Sequence, residues 1–412
     1  WPIFAGGADI ARDDTLDLKR CLDIAIHNHP NINSAANTIR IIESREGQAK
    51  ANYYPQLYLS SGYSRIGPAT ASLIRGTDPY DYYTGSINLN QTIFDFGKTA
   101  TQVEIQRFNI TSAKADFSDI INSIILNVKK AYYGLLQARR NADVALETVK
   151  QFQQHLERAK GFFEIGTKPK FDVTKAQVDL SNAKINLLKA QNAARISAIT
   201  LKNTMGMPDA PDFNLQDNLS ATFTEIKFTE ALSLAYQNRP DLASVIAKRE
   251  AAERNINLAG KGYFPVLSGT AGYGLSGSDF PLDRGWNAGA TLTFPLFSGF
   301  STKYQVAEAR ANLQVLKSNE ELLRQSIISD VQQAYANLQE AKDEIAVAEL
   351  IVVQAQDNYD LAQGRYATGV GNPIEITDAL VSLNNAKYAL NAALYGFKIA
   401  EATLQKTIGA RE

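Results

Sequence analysis

The sequence has very little cysteine and histidine, with one cysteine and three histidines among its 412 residues. The single cysteine, Cys21, excludes an internal disulfide, and no histidine has a second ligand at a metal-binding spacing. Phosphate-binding glycine loops and nucleophile elbows are also missing. We therefore expect neither enzymatic activity nor a bound cofactor.

Long hydrophobic runs and an excess of charge of one sign are missing as well. No stretch approaches the ~18 consecutive apolar residues of a membrane-spanning helix. Because 42 basic and 43 acidic residues give a formal net charge of −1, bulk charge indicates no nucleic-acid partner. The start "WPIFAGGADI" lacks a signal-peptide pattern, so we expect a cytosolic protein or one whose signal has been removed.

Internal repetition is the main positive feature of the chain. The stretch "NHPNI" (28–32) returns as "NRPDL" (238–242), and "YYPQL" (53–57) returns as "YFPVL" (263–267), each 210 residues later. From Phe94 and Phe297 onward the spacing is 203 residues, so the second copy lacks seven residues between Pro265 and Phe297. We predict a tolerant loop in that segment. Duplication of one domain-sized unit is the better interpretation than a solenoid. We predict a tail over 1–14, a first repeat over 15–210, a linker over 211–227 and a second repeat over 228–412.

A heptad pattern follows in each copy. Residues 98–164 contain no proline, and apolar residues recur in alternating steps of four and three from Ile121 to Phe163, and again from Ala334 to Tyr366. This period predicts very long helices that supercoil left-handedly, each about 100 Å long. A simple coiled-coil rod or dimer would explain this pattern alone.

Alternating segments that precede each long helix predict strands over 57–64, 85–93, 266–275 and 286–294. The alternation fits a membrane β-barrel with a watery lumen, and it also fits a soluble half-buried sheet. Aromatic residues at the strand ends favour the membrane alternative, because they match an interfacial girdle. Four strands cannot close a barrel, so a membrane-spanning form must oligomerise. The girdle candidates are Tyr82, Tyr83, Trp286 and Phe294.

The order of helix, strand pair, very long helix, glycine tip and helix, present twice, resembles the outer-membrane efflux protein family, also called the TolC family. The matching pieces are "YYPQL" and "YFPVL", the junctions "FDFGK" and "FPLFSGF", and the tips "IGTKPKFDVTKAQVDL" and "TGVGNPIEITDALVSL". The resemblance runs from about Thr15 to Ile408. It implies a mainly α protein with membrane β-structure, in which a homotrimer forms one 12-stranded β-barrel, continued by a periplasmic α-helical barrel.

The family resemblance also implies a function and partners. The expected protein is a passive exit duct of a tripartite efflux or type I secretion system, in the outer membrane of a Gram-negative-type cell. Its expected partners are outer-membrane lipid, a periplasmic adaptor (membrane fusion) protein, and an inner-membrane pump or ABC transporter. The pump and adaptor select the cargo in this family. Because Cys21 lies in a helical run, the sequence does not support lipid anchoring. The alternative is a soluble periplasmic coiled-coil scaffold or adaptor-like protein.

The two glycine tips carry the candidate site. Gly166 and Gly369 allow the chain to reverse, and Pro169 and Pro373 suit the start of the returning helix. Acidic residues follow in the first turn, where carboxylates also stabilise the helix dipole. The resemblance implies that Glu375, Asp378 and Asp172 line the periplasmic aperture.

The remaining site residues are also carried over from the family. The expected adaptor-docking tips comprise Gly166, Thr167, Gly369, Val370 and Gly371. The expected gate link joins Tyr366 to Asp172 across adjacent coils. Gly371 stands where the family has an arginine, so either one restraint is missing or Lys168 and Lys170 supply a substitute charge.

Overall fold

The computed structural model describes residues 14–67, 78–217 and 226–410. Residues 1–13 of the predicted tail and 218–225 of the predicted linker lie outside the described residues. The first repeat begins with a two-residue strand, β1 (Thr15–Leu16). The first repeat then contains α1 (Leu18–Asn28), α2 (Pro30–Lys50), β2 (Gln56–Ile66), β3 (Tyr80–Phe94), α3 (Lys98–Glu164) and α4 (Lys170–Thr204).

The second repeat follows the same order after a second short strand, β4 (Asn214–Leu215). It contains α5 (Phe228–Asn238), α6 (Pro240–Gly260), β5 (Val266–Gly277), β6 (Asp283–Thr293), α7 (Ser301–Ala367) and α8 (Pro373–Thr407). Corresponding helices have equal lengths, with 67 residues in α3 and in α7 and 35 residues in α4 and in α8. The predicted duplication is therefore visible helix by helix.

The strands β2, β3, β5 and β6 form one antiparallel sheet in that order. All four predicted strands are confirmed, with ends that differ by a few residues. The connection between β5 and β6 (278–282) is shorter than that between β2 and β3 (67–79), so the deletion shortens this connection as predicted. Side-chain alternation separates the two faces of the sheet. Neighbours across the strands include Leu59, Ile87, Tyr273 and Trp286 on the apolar face, and Ser60, Ser86 and Gly274 on the polar face.

A β-bulge interrupts the alternation at the end of β3. The register between β3 and β5 shifts between Thr92 and Phe94, and Phe94 lies opposite Leu267. The bulge brings Phe94 to the apolar face. Phe94 then contacts the ring of Phe96, which in turn stacks on Phe264, so aromatic side chains cluster where this strand ends.

The chain divides into two compact units that do not coincide with the repeats. One contains 1–35, 117–240 and 323–412, and the other contains 36–116 and 241–322. The first unit includes the pairing of β1 with β4. Because Arg139 donates a hydrogen bond to the Phe213 carbonyl and Tyr132 donates one to the Gln216 carbonyl, the start of the predicted linker is held against α3.

The heptad pattern is confirmed along most of its length. Val128, Leu135 and Ala159 are fully buried in the first copy, and Tyr366 is fully buried in the second. The prediction is wrong at Phe163, which is 45% exposed, because Phe162 packs edge-on against Tyr366 instead. Phe162 and Phe163 both lie about one turn after Ala159. The position of the Tyr366 ring determines that Phe162 is the one that packs. In the described ranges, no helix combines the length and the apolar character needed to cross a membrane.

Candidate functional site: the two hairpin tips

The two long helices end in the same backbone motif. Gly166 and Gly369 have positive φ values of 75° and 82°, as predicted from their place at the reversals. In the first tip the amides of Gly166 and Thr167 donate to the carbonyls of Phe163 and Phe162. In the second tip the amides of Gly369 and Val370 donate to Tyr366 and Arg365. These pairs of bonds define a Schellman motif, which needs a left-handed residue that glycine supplies without steric cost.

The returning helices begin with proline, but the two prolines differ in position. Pro373 is the first residue of α8, and Asn372 before it accepts a hydrogen bond from the Ile374 amide at 3.0 Å. Pro169 lies one position earlier, as the N-cap of α4. Both positions tolerate the missing N–H, because the first amides of a helix have no partner within it.

Gly371 is required for a different reason. A Cβ atom at this position would lie 2.7 Å from the Tyr366 nitrogen and 2.9 Å from the Arg365 carbonyl carbon. The glycine is buried, and its amide donates to the Arg365 carbonyl at 2.8 Å. Of the predicted docking residues, Gly166, Thr167, Gly369 and Val370 are exposed, whereas Gly371 is packed under the turn. Gly371 therefore shapes the tip and has no exposed surface that a partner could contact.

Lys168 joins the two tips within one chain. Its ammonium lies 3.5 Å from the Gly369 carbonyl oxygen and 3.3 Å from the Gly371 carbonyl oxygen. The same ammonium lies 5.5 Å from the centre of the Tyr366 ring. Lys170 is exposed at the first position of α4. The sequence predicted both lysines as candidate charges, and the structure brings only Lys168 to the second tip.

Replacing Lys168 with glutamine should loosen the second tip. The loss of two charge-assisted contacts should cost about 1 kcal/mol locally, which corresponds to about fivefold faster amide exchange. Hydrogen–deuterium exchange at Val370 and Gly371 measures this change, because both amides donate within the tip. Lys170→Gln is the matched control, and an equal effect in that variant would contradict the bridging role of Lys168.

The predicted aperture carboxylates have different surroundings. Glu375 and Asp378 are exposed on α8, whereas Asp172 is only 4% exposed. A carboxylate oxygen of Glu375 lies 3.2 Å from the Nε of Arg365. Sequence reasoning missed Arg365, although a basic residue one turn before the tip glycine was the available signal. Arg365 therefore places a positive charge beside Glu375, six positions before Gly371.

Tyr366 and Asp172 are close enough to interact electrostatically. Burial, followed by the charge of the Asp172 carboxylate, raises the pKa of the Tyr366 hydroxyl. That hydroxyl has no hydrogen-bond partner among the described residues. The gate link between these two residues in an assembled channel remains a prediction.

The aromatic residues predicted for the membrane girdle fall on both faces of the sheet. Tyr83 pairs with Tyr63, and its ring also contacts Phe280. Trp286 pairs with Tyr273 on the same apolar face and is 80% exposed. Tyr82 pairs with Ser64 on the polar face, so the girdle prediction does not fit it. Phe294 is exposed and follows the last residue of β6.

Comparisons with known proteins agree with this architecture. The sequence matches the family described as outer membrane efflux protein over residues 21–207 and 231–410. It is 22% identical over 406 residues to the outer membrane protein TolC of Vibrio cholerae, and the aligned region covers 95% of this chain and 90% of that protein. It is 24% identical over 415 residues to the probable outer membrane lipoprotein SilC of Salmonella typhimurium, with coverages of 95% and 85%. The crystal structure of the Campylobacter jejuni CmeC outer membrane channel has a TM-score of 0.84 at 17% identity, covering 99% of this chain and 91% of that one.

This duplicated chain, with its amphipathic four-stranded sheet and two glycine-tipped helical hairpins, has the fold of the CmeC outer membrane channel. The chain belongs to the outer membrane efflux protein family, the family that the TolC resemblance indicated. It is an efflux channel of the outer membrane.

Proposed function

We propose that three copies of this chain form a passive exit duct, coupled through a periplasmic adaptor to an inner-membrane pump. The observation that carries the proposal is the pair of open edges of the four-stranded sheet. Its outer strands β2 and β6 each have one strand neighbour in the described part of the chain. Open strand edges beside an exposed apolar face are unstable in lipid, because unpaired backbone groups there cost several kcal/mol each. Pairing β2 of one copy with β6 of the next would remove every edge.

The side chains on the polar face favour three copies over two. Two copies would supply eight strands, and an eight-stranded barrel has an interior that side chains fill. The polar face carries mostly small residues, including Ser86, Asn88 and Ser268, with Gly272 and Gly274 between them. Such side chains are too small to fill an interior, and they suit the wider water-filled lumen of a 12-stranded barrel.

The strand lengths support a transmembrane position for this sheet. The four strands have 11 to 15 residues, and a tilted membrane strand needs about 9–11. Tyr83 and Trp286 lie near one end of the apolar face, and Phe294 lies at the other, as an interfacial girdle requires. A soluble scaffold would leave this face uncovered, with Leu59 and Trp286 each 80% exposed.

The hairpin tips supply the remaining parts of the duct. The exposed residues Gly166, Thr167, Gly369 and Val370 are the adaptor-docking surface, and Glu375 and Asp378 line the aperture. We propose no catalytic role for any residue, since energy for transport would come from the pump. Among the described residues no cluster of acidic, histidine or cysteine side chains is arranged to hold a metal ion.

Purification in mild detergent tests the assembly. We expect the protein to require detergent for extraction and to have the mass of three chains plus a micelle. The reason is that the open edges of β2 and β6 must pair between copies. Static light scattering with refractive-index correction gives the protein mass separately from the detergent. A monodisperse monomer with intact helical circular dichroism would refute the duct, and a two-chain mass would refute the lumen argument.

A further inference from the structure

A buried polar contact near the tips involves His155 on α3, which the proposed duct does not use. The imidazole packs against Tyr366 on α7, with ring centres 5.2 Å apart. His155 is 5% exposed and Tyr366 is fully buried. Neither the His155 Nε2 nor the Tyr366 hydroxyl has a hydrogen-bond partner in the described part of the chain. Two buried polar atoms therefore belong to one ring contact, and neither has a hydrogen-bond partner among the described residues.

The surroundings of His155 bring together charged groups from two helices and a tyrosine from a third. Arg158 lies on the same helix, Asp172, Lys175 and Asp179 come from α4, and Tyr366 comes from α7. The Lys175 ammonium lies 2.7 Å from both carboxylate oxygens of Asp179, so these two charges largely offset each other. The Lys168 ammonium lies 5.5 Å from the centre of the Tyr366 ring. Tyr366 also belongs to a buried apolar cluster that includes Phe152, Leu156, Ile376 and Leu380.

We propose that His155 is a positioning residue for the two hairpin tips. It keeps the tips packed together while its imidazole is neutral and lets them separate when the imidazole is protonated. A neutral ring fits the buried contact with Tyr366, whereas an imidazolium would carry two N–H donors and a charge into the same space. Movement of the charged ring out of this space would separate α3 from α7 at the contact between His155 and Tyr366, close to the second tip. The consequence for transport rests on the proposed duct function.

The direction of the pH effect follows from proton binding. Burial is the largest influence on the pKa of His155 and lowers it from its ordinary value of 6.5, partly opposed by the carboxylates of Asp179 and Asp172. The packed tip thus binds fewer protons than a loosened tip, in which the imidazole is solvated. The packed tip has its full stability above the ordinary pKa and loses it as the pH falls below that value. Acid should therefore open the tips.

Charge-matched variants test this proposal directly. His155→Lys carries a permanent charge and should loosen the tips at neutral pH, whereas His155→Gln stays neutral. We expect trypsin at about pH 7.5 to cleave after Lys170 about fivefold faster in His155→Lys than in the wild type or His155→Gln. Cleavage is counted at Lys170 alone, because the substitution itself creates a trypsin site. Equal cleavage of His155→Lys and the wild type would overturn the proposal.

The pH profile of the channel provides the second measurement. In planar bilayers, the wild-type conductance should rise about twofold or more between pH 7.5 and pH 5.5, while His155→Gln should not respond. The double variant His27→Gln/His29→Gln removes the other two histidines and should keep the wild-type response. An unchanged acid response in His155→Gln would overturn the proposal, and this arm decides if His155→Lys fails to fold. If no variant forms channels, the duct function fails, and the trypsin result still decides the role of His155.

Discussion

Replacing Gly369 with valine should abolish transport while leaving the oligomer assembled. Gly369 has a φ of 82°, where a β-branched residue costs at least about 1–2 kcal/mol. The Schellman motif would rearrange, which moves the exposed Val370 and the start of α8. Transport by cells that carry the cognate adaptor and pump measures the loss, and the detergent-solubilised mass measures assembly.

The same helix offers a matched control for this substitution. Gly364 is exposed inside α7, and nothing lies within 4 Å of a Cβ added there. Gly364→Ala should leave transport intact and stabilise the helix by up to about 1 kcal/mol. Because Cys21 is buried, a cysteine introduced at Val370 can be cross-linked selectively to an adaptor. An adaptor that cross-links to the strand connections and never to the tips would contradict the docking surface.

Removing both Glu375 and Asp378 should weaken cation selectivity and the block by di- or trivalent cations from the periplasmic side. In a trimer these residues would place six carboxylates around one opening, where like charges attract cations that partly neutralise them. Planar-bilayer recordings of Glu375→Ala/Asp378→Ala measure both properties. The oligomer mass should stay unchanged, since both side chains are exposed.

A substitution at Arg365 is a control that should change the cation block in the opposite direction. Its Nε lies 3.2 Å from a Glu375 carboxylate oxygen, so it offsets part of the negative charge at the predicted aperture. Because the pair is exposed, its loss should cost only about 0.2–1 kcal/mol of stability. Arg365→Gln should therefore strengthen the cation block without disturbing the fold. If neither variant changes the block, the constriction lies elsewhere in the channel.

The sequence alone determined the duplication, the long helices, the four strands and the glycine reversals. These features depend on local rules, since hydrophobic period and the backbone preferences of glycine and proline act within a few residues. The 67-residue helices α3 and α7 end within three residues of Gly166 and Gly369 for this reason. The family resemblance of the tips then supplied roles for residues such as Glu375.

The tertiary structure decided which side chains meet at the tips. Lys168 reaches the carbonyl of Gly371 across 203 residues of sequence, and His155 packs against Tyr366 from another helix. Asp172 is buried while Glu375 is exposed, although both follow a tip in the first turn of a helix. The two copies share a pattern of residues but pack against different neighbours. Local propensity cannot distinguish these environments, because they are set by side chains that are distant in the chain and adjacent only in the packed hairpins.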